Sequence, residues 1–430
     1  MAHYLLAISP LAGHLMPMVH IGAHLQTGGH TVSVLTDAAC AEVVERAGLR
    51  VVTLSQDAGV DPPAAAPWWA RRLPAEVRRF LLGRGELTSV FVKPLVSQAE
   101  SLATFLAAEE VDAILADIAF TGVLPLLLGE SARPAVLVCG VSPLTLSSVD
   151  TPPFGMAWQP EAGLDYTQMT NVAHRFIMAG SQRRFNRALR RADSPPAPVF
   201  ISDWPRLADG LLQLCVPGFE YPRSDLPDTV HYVGPVLPNG AGEVDLPAWW
   251  NDVADAAVVV HVTQGTFDNA DLDQLIAPTL AALADRPDVL VIATTGGRPG
   301  QRLSGPVPAN ARVVDWLPYS SLMPSVDVMI TNGGYGGVQY ALGHGVPLIV
   351  AGETSDKAEV AARVQFSGAG INLRTAAPTA ADIGAAVEQV TSDSRYRDAA
   401  GRLREQIVVA TPLADIATAL QQHSSSARTG

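Results

Sequence analysis

Short apolar runs alternate with helical stretches along most of the chain. The first unit reads HYLLAIS, then PLAGHLMP, then PMVHIGAHLQTGG with helical spacing and a glycine stop, then the β-branched run TVSVLT. A strand, loop, helix and strand in this order predict a parallel sheet covered by helices. Three further apolar runs, LRVVTL, VDAILAD and PAVLVCG, repeat the pattern. The first half is therefore predicted to be a doubly wound α/β domain.

Two stretches interrupt this alternation. Residues 62–92 are rich in proline, tryptophan and arginine, which predicts an amphipathic insert. Around 216–255, the stretch PGFEYPRSDLPDTVHYVGPVLPNGAGEVDLPAWW holds too much proline and glycine to continue a helix or a central strand. Five more apolar runs follow: AVVVHVTQGT, DVLVIATTGG, ARVVDWL, DVMITNGG and VPLIVAGE. They predict a second parallel-sheet α/β domain.

The predicted organisation is a first domain over 1–237, a linker over 238–255 and a second domain over 256–400. A C-terminal helix over 401–422 and a disordered polar tail over 423–430 complete it. Two α/β domains that face each other place the ligand in the cleft between them.

The charge balance narrows the choice of partners. The chain has 29 Lys and Arg against 42 Asp and Glu, a formal net charge of −13. Phosphate neutralisation needs a basic face, so neither a nucleic acid nor an anionic membrane is the expected partner. Hydrophobic residues make up 48% of the chain, enough for a large core, yet no apolar run approaches the ~20 residues that span a bilayer.

Cysteine usage and the N-terminus indicate the compartment. Cys40, Cys139 and Cys215 are scattered, which fits a reducing environment and excludes a zinc site built from cysteines. The first basic side chain is Arg46, so the positive region of a secretory signal is missing. A cytoplasmic enzyme is expected.

A glycine-rich turn in DVMITNGGYGGVQYALGHGVPLIVAG is the strongest local signal. It lies between a predicted strand and a predicted helix, where backbone N–H groups can approach an anion at the positive end of the helix dipole. The alternative is a tight turn with close packing and no ligand. No Walker motif or GxGxxG fingerprint is present. The turn glycines are Gly333, Gly334, Gly336 and Gly337.

Three other loops of the second domain follow predicted strands, where ligands bind in open α/β sheets. In TQGTF these are Gln264, Gly265 and Thr266, and in DWLPY an aromatic ring, Trp316, could stack on a nucleobase. Asp356 and Lys357 follow PLIVAG. Packing of the tryptophan and a solvated ion pair are the alternatives, but the loops together favour a nucleoside diphosphate site.

In the first domain, His14 follows a predicted strand at the start of a helix, and Asp117 ends another strand of the same sheet. An imidazole that titrates near neutral pH suits a general base, and a carboxylate can fix its tautomer. No GxSxG elbow supports a hydrolase triad. The acidic pair Asp271 and Asp273 fits helix capping, and no metal site is predicted.

These residues resemble family 1 of the GT-B glycosyltransferases. PLAGHLMP, the strand-end Asp117, PGFEYPR, HYVGP, TQGTF, DWLPY, TNGGYGGVQYALGHGVP and GETSDK follow the family's order of motifs over nearly the whole chain. The sequence is most similar to bacterial macrolide and natural-product glycosyltransferases. The resemblance implies a GT-B fold of two Rossmann-like domains facing each other across a cleft.

The resemblance also implies a reaction: inverting, metal-independent transfer of a sugar from a UDP- or dTDP-linked donor to a hydroxyl group. His14 would be the base and Asp117 its partner. In the donor domain, Trp316 would stack on the base and the Leu317 backbone would face its edge. Thr266 and the glycine turn would hold the diphosphate, while Asp356 and Lys357 would face the sugar. No cofactor beyond the nucleotide sugar is implied.

Three positions depart from the family pattern: Asn332 replaces a phosphate-contacting His, Tyr340 a ribose-gripping Glu, and Lys357 a sugar-contacting Gln. A dTDP sugar, with one ribose hydroxyl fewer, is compatible with Tyr340, and so is a UDP sugar held by other contacts. The acceptor is expected to be a macrolide, polyketide or phenolic compound bound by the first domain. The candidate acceptor residues are Trp68, Phe80, Phe91, Phe154 and Trp158.

Three other functions remain open at this point. A nucleotide-sugar epimerase or hydrolase could use the same fold, a nicotinamide-dependent oxidoreductase also has two α/β domains, and a binding protein would show no turnover. The chain is expected to be a monomer or a homodimer.

Overall fold

Each sheet of the protein lies in its own compact unit. The computed structural model describes residues 1–55, 83–237, 246–266, 269–298, 303–354 and 356–427. Unit 1 comprises Met1–Leu214, Tyr221–Val236 and the C-terminal residues from Thr411, whereas unit 2 comprises Cys215–Glu220 and Leu237–Ala410.

The sheet of unit 1 is parallel throughout and ordered β3-β2-β1-β4-β5-β6-β7. Its central strands are apolar and buried, as a sheet covered on both faces requires. The order reverses between β1 and β4, the topological switch point where ligands bind in such sheets. The strands are β1 His3–Ala7, β2 Thr31–Thr36, β3 Arg50–Thr53, β4 Ala113–Asp117, β5 Ala135–Gly140, β6 Gly210–Gln213 and β7 Val230–Tyr232.

The helices of unit 1 cover this sheet, and a last helix returns to it from the end of the chain. Two π-helical turns, Leu87–Val92 and Ala173–Ile177, accompany them. The helices are α1 Ala12–Thr27, α2 Ala41–Arg46, α3 Leu95–Ala108, α4 Leu124–Leu128, α5 Thr167–Val172 and α6 Ala179–Arg191. The returning helix begins at Pro412 and ends at Ala427, and its Ile416 and Leu420 are buried in the core of unit 1.

The sheet of unit 2 is also parallel and has the order β10-β9-β8-β11-β12-β13, so its switch point lies between β8 and β11. Its core joins strand side chains to Leu272–Leu283 and to the helix after Thr379. The strands are β8 Val258–Thr263, β9 Val289–Thr294, β10 Ala311–Val314, β11 Val328–Thr331, β12 Leu348–Val350 and β13 Gly370–Asn372.

The helices of unit 2 alternate with these strands. Thr379 and Asp382 form a reciprocal capping box that starts one of them. The helices of unit 2 are α7 Asn251–Asp255, α8 Ile276–Leu283, α9 Tyr319–Leu322, α10 Tyr335–Gly343, α11 Lys357–Phe366, α12 Ala380–Ser392 and α13 Ser394–Val409. The returning helix Pro412–Ala427 is therefore α14. No helix within the described ranges combines the length and apolar character needed to cross a bilayer.

The predicted pair of parallel-sheet α/β folds is confirmed, and three local features differ from the expectation. Units 1 and 2 divide after Val236, one residue before the expected end of the first domain. The expected linker contains helix α7, and its residues 238–245 lie outside the described residues. The expected C-terminal helix over 401–422 is two helices that break near Ala410 and Thr411, and residues 423–427 continue α14 instead of forming a disordered tail.

A buried ion triad fastens the segment Cys215–Glu220 to helix α11 inside unit 2. Arg363 Nε donates to Glu220 Oε2 at 2.8 Å, and its Nη1 donates to Glu359 Oε2 at 2.8 Å. The Arg363 side chain is only 1% exposed. Burial of charges is costly unless they are paired with good geometry, so this segment of the PGFEYPR stretch is held by one guanidinium that pairs with two carboxylates.

We expect Arg363→Met to lower the free energy of unfolding of unit 2 by about 3–5 kcal/mol, because it leaves two buried carboxylates without their guanidinium partner. Urea titration followed by circular dichroism measures this loss. Arg395→Met is the matched control: Arg395 pairs with Asp393 at 2.7 Å but is 88% exposed, so that pair is expected to contribute about 1 kcal/mol or less. Equal losses in the two variants would contradict the assignment.

Candidate active site

Strand β1 and strand β4 bring together the two residues predicted to do chemistry in unit 1. His14 lies in the first turn of α1, which follows β1, and Asp117 is the last residue of β4. The two strands are parallel neighbours with Ala7 opposite Ala116. His14 Nδ1 lies 2.9 Å from Asp117 Oδ1. This hydrogen bond at the switch point joins two residues that are 103 positions apart in the sequence.

The carboxylate of Asp117 determines which nitrogen of the imidazole carries the proton. An ionised carboxylate only accepts hydrogen bonds, so Nδ1 must donate, and Nε2 then keeps a lone pair. The His14 side chain is 16% exposed, whereas Asp117 is fully buried. Within the described residues, Nε2 of His14 makes no hydrogen bond. The dyad thus has the form of a base held by a buried partner.

The charge of Asp117 is stabilised by two backbone donors. Ser9 N–H donates to Oδ2, and Ala119 N–H donates to Oδ1 at 2.6 Å. Hydrogen bonds to an ionised group are roughly twice as strong as neutral ones, which compensates for its burial. Burial, and then the charge of Asp117, raises the pKa of the neighbouring Cys139 thiol, which stays neutral.

Gln98 is a functional-site residue that sequence reasoning missed. Its side chain is buried on α3, with Nε2 donating to Ser9 Oγ at 3.4 Å and Oε1 accepting from Gly122 N at 3.1 Å. It therefore joins the loop after β1 to the loop after β4. A Cβ at Gly122 would lie 2.4 Å from Gln98 Cβ, so glycine is required for this approach. No local pattern signals a partner 89 residues away.

In unit 2, the glycine turn opens onto free space at the start of α10. Gly333 has φ +88° and a Cβ there would lie 2.8 Å from Val350 Cγ1, so the turn needs glycine. A Cβ at Gly334 or Gly336 would meet no atom within 4 Å, whereas one at Gly337 would contact Met329. The first-turn N–H groups of a helix have no acceptor inside it, so this turn can receive an anion.

Asn332 connects the turn to the loop after β8. It is buried and its Nδ2 donates to Gln264 O at 2.5 Å. The Gln264 carboxamide bonds to the backbone, donating to Asp271 O at 2.8 Å and accepting from Ile276 N at 3.3 Å. The Gln264 side chain therefore supports the loop, and its backbone is the part left to contact a nucleotide sugar. Gly265, with φ +69°, and the exposed Thr266 follow it.

Trp316 and Leu317 have opposite environments at the end of β10. The Trp316 side chain is 63% exposed, while Leu317 is buried. An exposed indole at the carboxyl edge of a sheet is available for stacking. Lys357, the first residue of α11, is buried and its Nζ donates to Thr354 Oγ1 at 3.1 Å, and the half-buried Asp356 precedes it. These residues lie at the same carboxyl edge of the sheet as the glycine turn.

A row of rings packs beside Tyr340. The Tyr340 ring lies edge-on to Tyr319 at 5.4 Å and stacks on His344 at 5.3 Å. His261 Nε2 lies 3.4 Å from the Tyr319 hydroxyl. Burial lowers the pKa of His261 to about 4 and raises that of Tyr319 to about 12, so these two side chains stay neutral.

The predicted acceptor residues are only partly described. Phe91 is half-buried and packs against the core of unit 1, and Phe154 is half-buried in the loop after β5. Trp158, in the same loop, is 43% exposed. This loop leaves the sheet at the edge that holds His14. Trp68 and Phe80 lie outside the described residues.

Of the acidic pair predicted to cap a helix, Asp271 caps the 3-10 turn Leu272–Gln274, whereas Asp273 lies inside that turn. The Asp271 carboxylate accepts from Asp273 N at 3.1 Å, and Asp273 in turn accepts from Ser304. Within the described ranges, no three His, Cys, Asp or Glu side chains are grouped so that they could hold a metal ion.

Comparisons with known proteins decide the family. UDP-glycosyltransferase 2 of Phaeomoniella chlamydospora is 36% identical over 437 residues, covering 96% of this chain and 94% of its own length. The 4'-demethylrebeccamycin synthase of Lentzea aerocolonigenes is 35% identical over 423 residues, which cover 96% of this chain and 97% of the synthase. The chain belongs to family 1 of the GT-B glycosyltransferases.

Two further similarities agree with this membership. Residues 278–422 match the family described as Erythromycin biosynthesis protein CIII-like, C-terminal domain. The solved structure of the glycotransferase of kitacinnamycin has the same fold, with a TM-score of 0.73 at 21% identity and 98% coverage of both chains. The GT-B fold and the enzyme class predicted from sequence are confirmed. This glycosyltransferase therefore uses nucleotide sugars, and the oxidoreductase alternative is not supported.

Proposed function

We propose that the enzyme transfers a sugar, with inversion and without a metal, from a UDP- or dTDP-linked donor to a hydroxyl of a hydrophobic small molecule. The hydrogen bond between His14 Nδ1 and Asp117 Oδ1 is the observation that carries this proposal. It leaves a basic nitrogen, Nε2, at the carboxyl edge of the sheet in unit 1. A single displacement by an activated hydroxyl requires one such base.

The proposed reaction is one concerted displacement. Nε2 of His14 removes the proton of the acceptor hydroxyl while that oxygen attacks the anomeric carbon opposite the diphosphate. The bond between the anomeric carbon and the diphosphate oxygen breaks, and the nucleoside diphosphate leaves with the electron pair. Asp117 stabilises the imidazolium that forms, and the proton then passes to solvent. Configuration at the anomeric carbon is inverted.

In this proposal the donor binds at the carboxyl edge of the sheet in unit 2. The diphosphate gains charge as it leaves, and oriented N–H groups at Gly334 and Gly336 can stabilise that charge where other enzymes use a metal. Thr266 would add a hydroxyl donor. Trp316 would stack on the nucleobase because its indole is exposed, and the Leu317 backbone would face the base edge.

The sugar and ribose contacts decide the donor. Asp356 and Lys357 would contact the sugar hydroxyls. Tyr340 provides no carboxylate for the ribose and is held in place by Tyr319 and His344, so a donor with one ribose hydroxyl fewer is favoured. A macrolide, polyketide or phenolic compound is the proposed acceptor. Cys40, Cys139 and Cys215 are buried and form no disulfide within the described residues, which supports a cytoplasmic location.

A donor screen tests this function. The enzyme is incubated with UDP-glucose, dTDP-glucose or NADPH, with and without a phenolic or macrolide acceptor, in the presence of EDTA. We expect acceptor-dependent release of a nucleoside diphosphate, faster with the dTDP donor because of Tyr340. Release of the nucleoside diphosphate without an acceptor would indicate a hydrolase. Thermal stabilisation of the protein by NADPH alone would indicate the oxidoreductase. Either result would overturn the proposal.

A further inference from the structure

Helix α6 of unit 1 presents five arginines on one face. At 100° per residue these side chains fall within an arc of about 120°. All five are exposed, whereas Phe185, Ala188 and Leu189 on the other side are buried against the core. The arginines are Arg183, Arg184, Arg187, Arg190 and Arg191.

The basic face is unusual in so acidic a chain. Arg175, in the preceding π-helical turn, is also exposed, and residues 166–192 contain no Asp, Glu or Lys. None of these six arginines forms an ion pair or hydrogen bond with another side chain in the part of the chain that the structure describes. The local potential is therefore positive although the net charge is −13.

Large apolar side chains lie next to these charges. Phe176 is 76% exposed, and Val172 and Ile177 are 43% and 44% exposed. Exposed apolar residues that cluster beside basic ones are typical of segments that lie in a membrane interface, where rings enter the headgroup region and arginines bind phosphate. A nucleic acid would match the arginines, but its phosphate backbone would leave the apolar cluster in contact with water.

We propose that this surface, formed by Val172, Arg175–Ile177 and the five arginines of α6, docks on anionic lipid headgroups. Phe176 enters the interface and the arginines pair with lipid phosphates. The expectation of no membrane partner depends on the net charge, which averages over the whole chain and conceals this face. Docking does not depend on the transfer reaction, but it would bring the enzyme close to apolar acceptors that partition into bilayers.

Vesicle sedimentation of the full chain tests the proposal. The probes are phosphatidylcholine vesicles with and without phosphatidylglycerol. We expect binding only to the vesicles that contain phosphatidylglycerol, with loss at high salt. Replacing three arginines of the basic face is expected to weaken binding about 100-fold, as R183Q/R187Q/R190Q. Phe176→Ser is expected to weaken binding without a change in charge.

A matched triple variant on exposed arginines of α13 in unit 2, R395Q/R402Q/R404Q, changes the net charge equally and is expected to bind normally. Circular dichroism confirms that both variants fold. Equal binding to neutral vesicles, equal weakening by the two triple variants, or binding to duplex DNA but not to vesicles would each overturn the proposal.

Discussion

His14→Ala is expected to lower kcat for sugar transfer by about 10²–10⁴-fold, the usual contribution of a general base. The loss follows from the geometry: Nε2 is the nitrogen left basic by the hydrogen bond from Nδ1 to Asp117. Affinity for the nucleoside diphosphate is expected to stay unchanged, because the proposed donor residues all belong to unit 2. Initial rates and calorimetric titration with UDP and dTDP measure the two quantities.

His20→Ala is the matched control for this experiment. His20 lies on the same helix, α1, but its Nδ1 donates to Met16 O at 2.7 Å. Its replacement is expected to leave kcat unchanged. If the His14 variant retained full turnover, the imidazole would not be the base.

Asp117→Asn is expected to reduce kcat by about 10²–10⁴-fold while the protein remains folded. The carboxylate accepts from His14 Nδ1, Ser9 N and Ala119 N at once. An amide has one oxygen and one NH₂ group, so it cannot satisfy all three donors. If the NH₂ group faces the imidazole, Nδ1 must accept and Nε2 becomes protonated, which removes the base.

Asp209→Asn separates this effect from a general loss of structure. Asp209, also in unit 1, accepts hydrogen bonds from the Arg133 side chain at 2.6 Å and from Val136 N at 2.7 Å. It is not part of the pair formed by His14 and Asp117. We expect it to lower the melting temperature without changing kcat per folded molecule. A melting curve that collapsed for Asp117→Asn, with normal kcat in the folded fraction, would make Asp117 purely structural.

The alternation of apolar runs with helical stretches is enough to predict both sheets. Parallel strands with intervening helices place all carboxyl ends at one edge, so the sequence pattern alone assigns His14 and Asp117 to the same edge. Their 2.9 Å contact requires more, because it depends on β1 and β4 being direct neighbours. The order of strands in a sheet depends on tertiary structure, and hydrophobic periodicity does not predict it.

Other features are hidden from the sequence because their partners are distant along the chain. Gln98 acts through Ser9 and Gly122, and Arg363 reaches Glu220 across 143 residues.

The end of the chain and the basic face show two further limits of the sequence pattern. The polar composition after residue 422 predicts a tail, but Ile416 and Leu420 pack into unit 1 and Ser424 Oγ bonds to Leu420 O, which extends helix α14. The basic face of α6 escapes a composition argument because composition sums charges without regard to their position. The assignment of Trp68 and Phe80 to the acceptor site stays a prediction.

The stereochemistry of one product tests the central claim most directly. UDP-α-D-glucose or its dTDP counterpart is incubated with a phenolic acceptor and EDTA, and the anomeric proton of the product is examined by NMR. Direct displacement by a hydroxyl that His14 activates predicts a β-linked glucoside, with a large coupling between the protons on C1 and C2. An α-linked glucoside, or free glucose as the only product, would contradict the account.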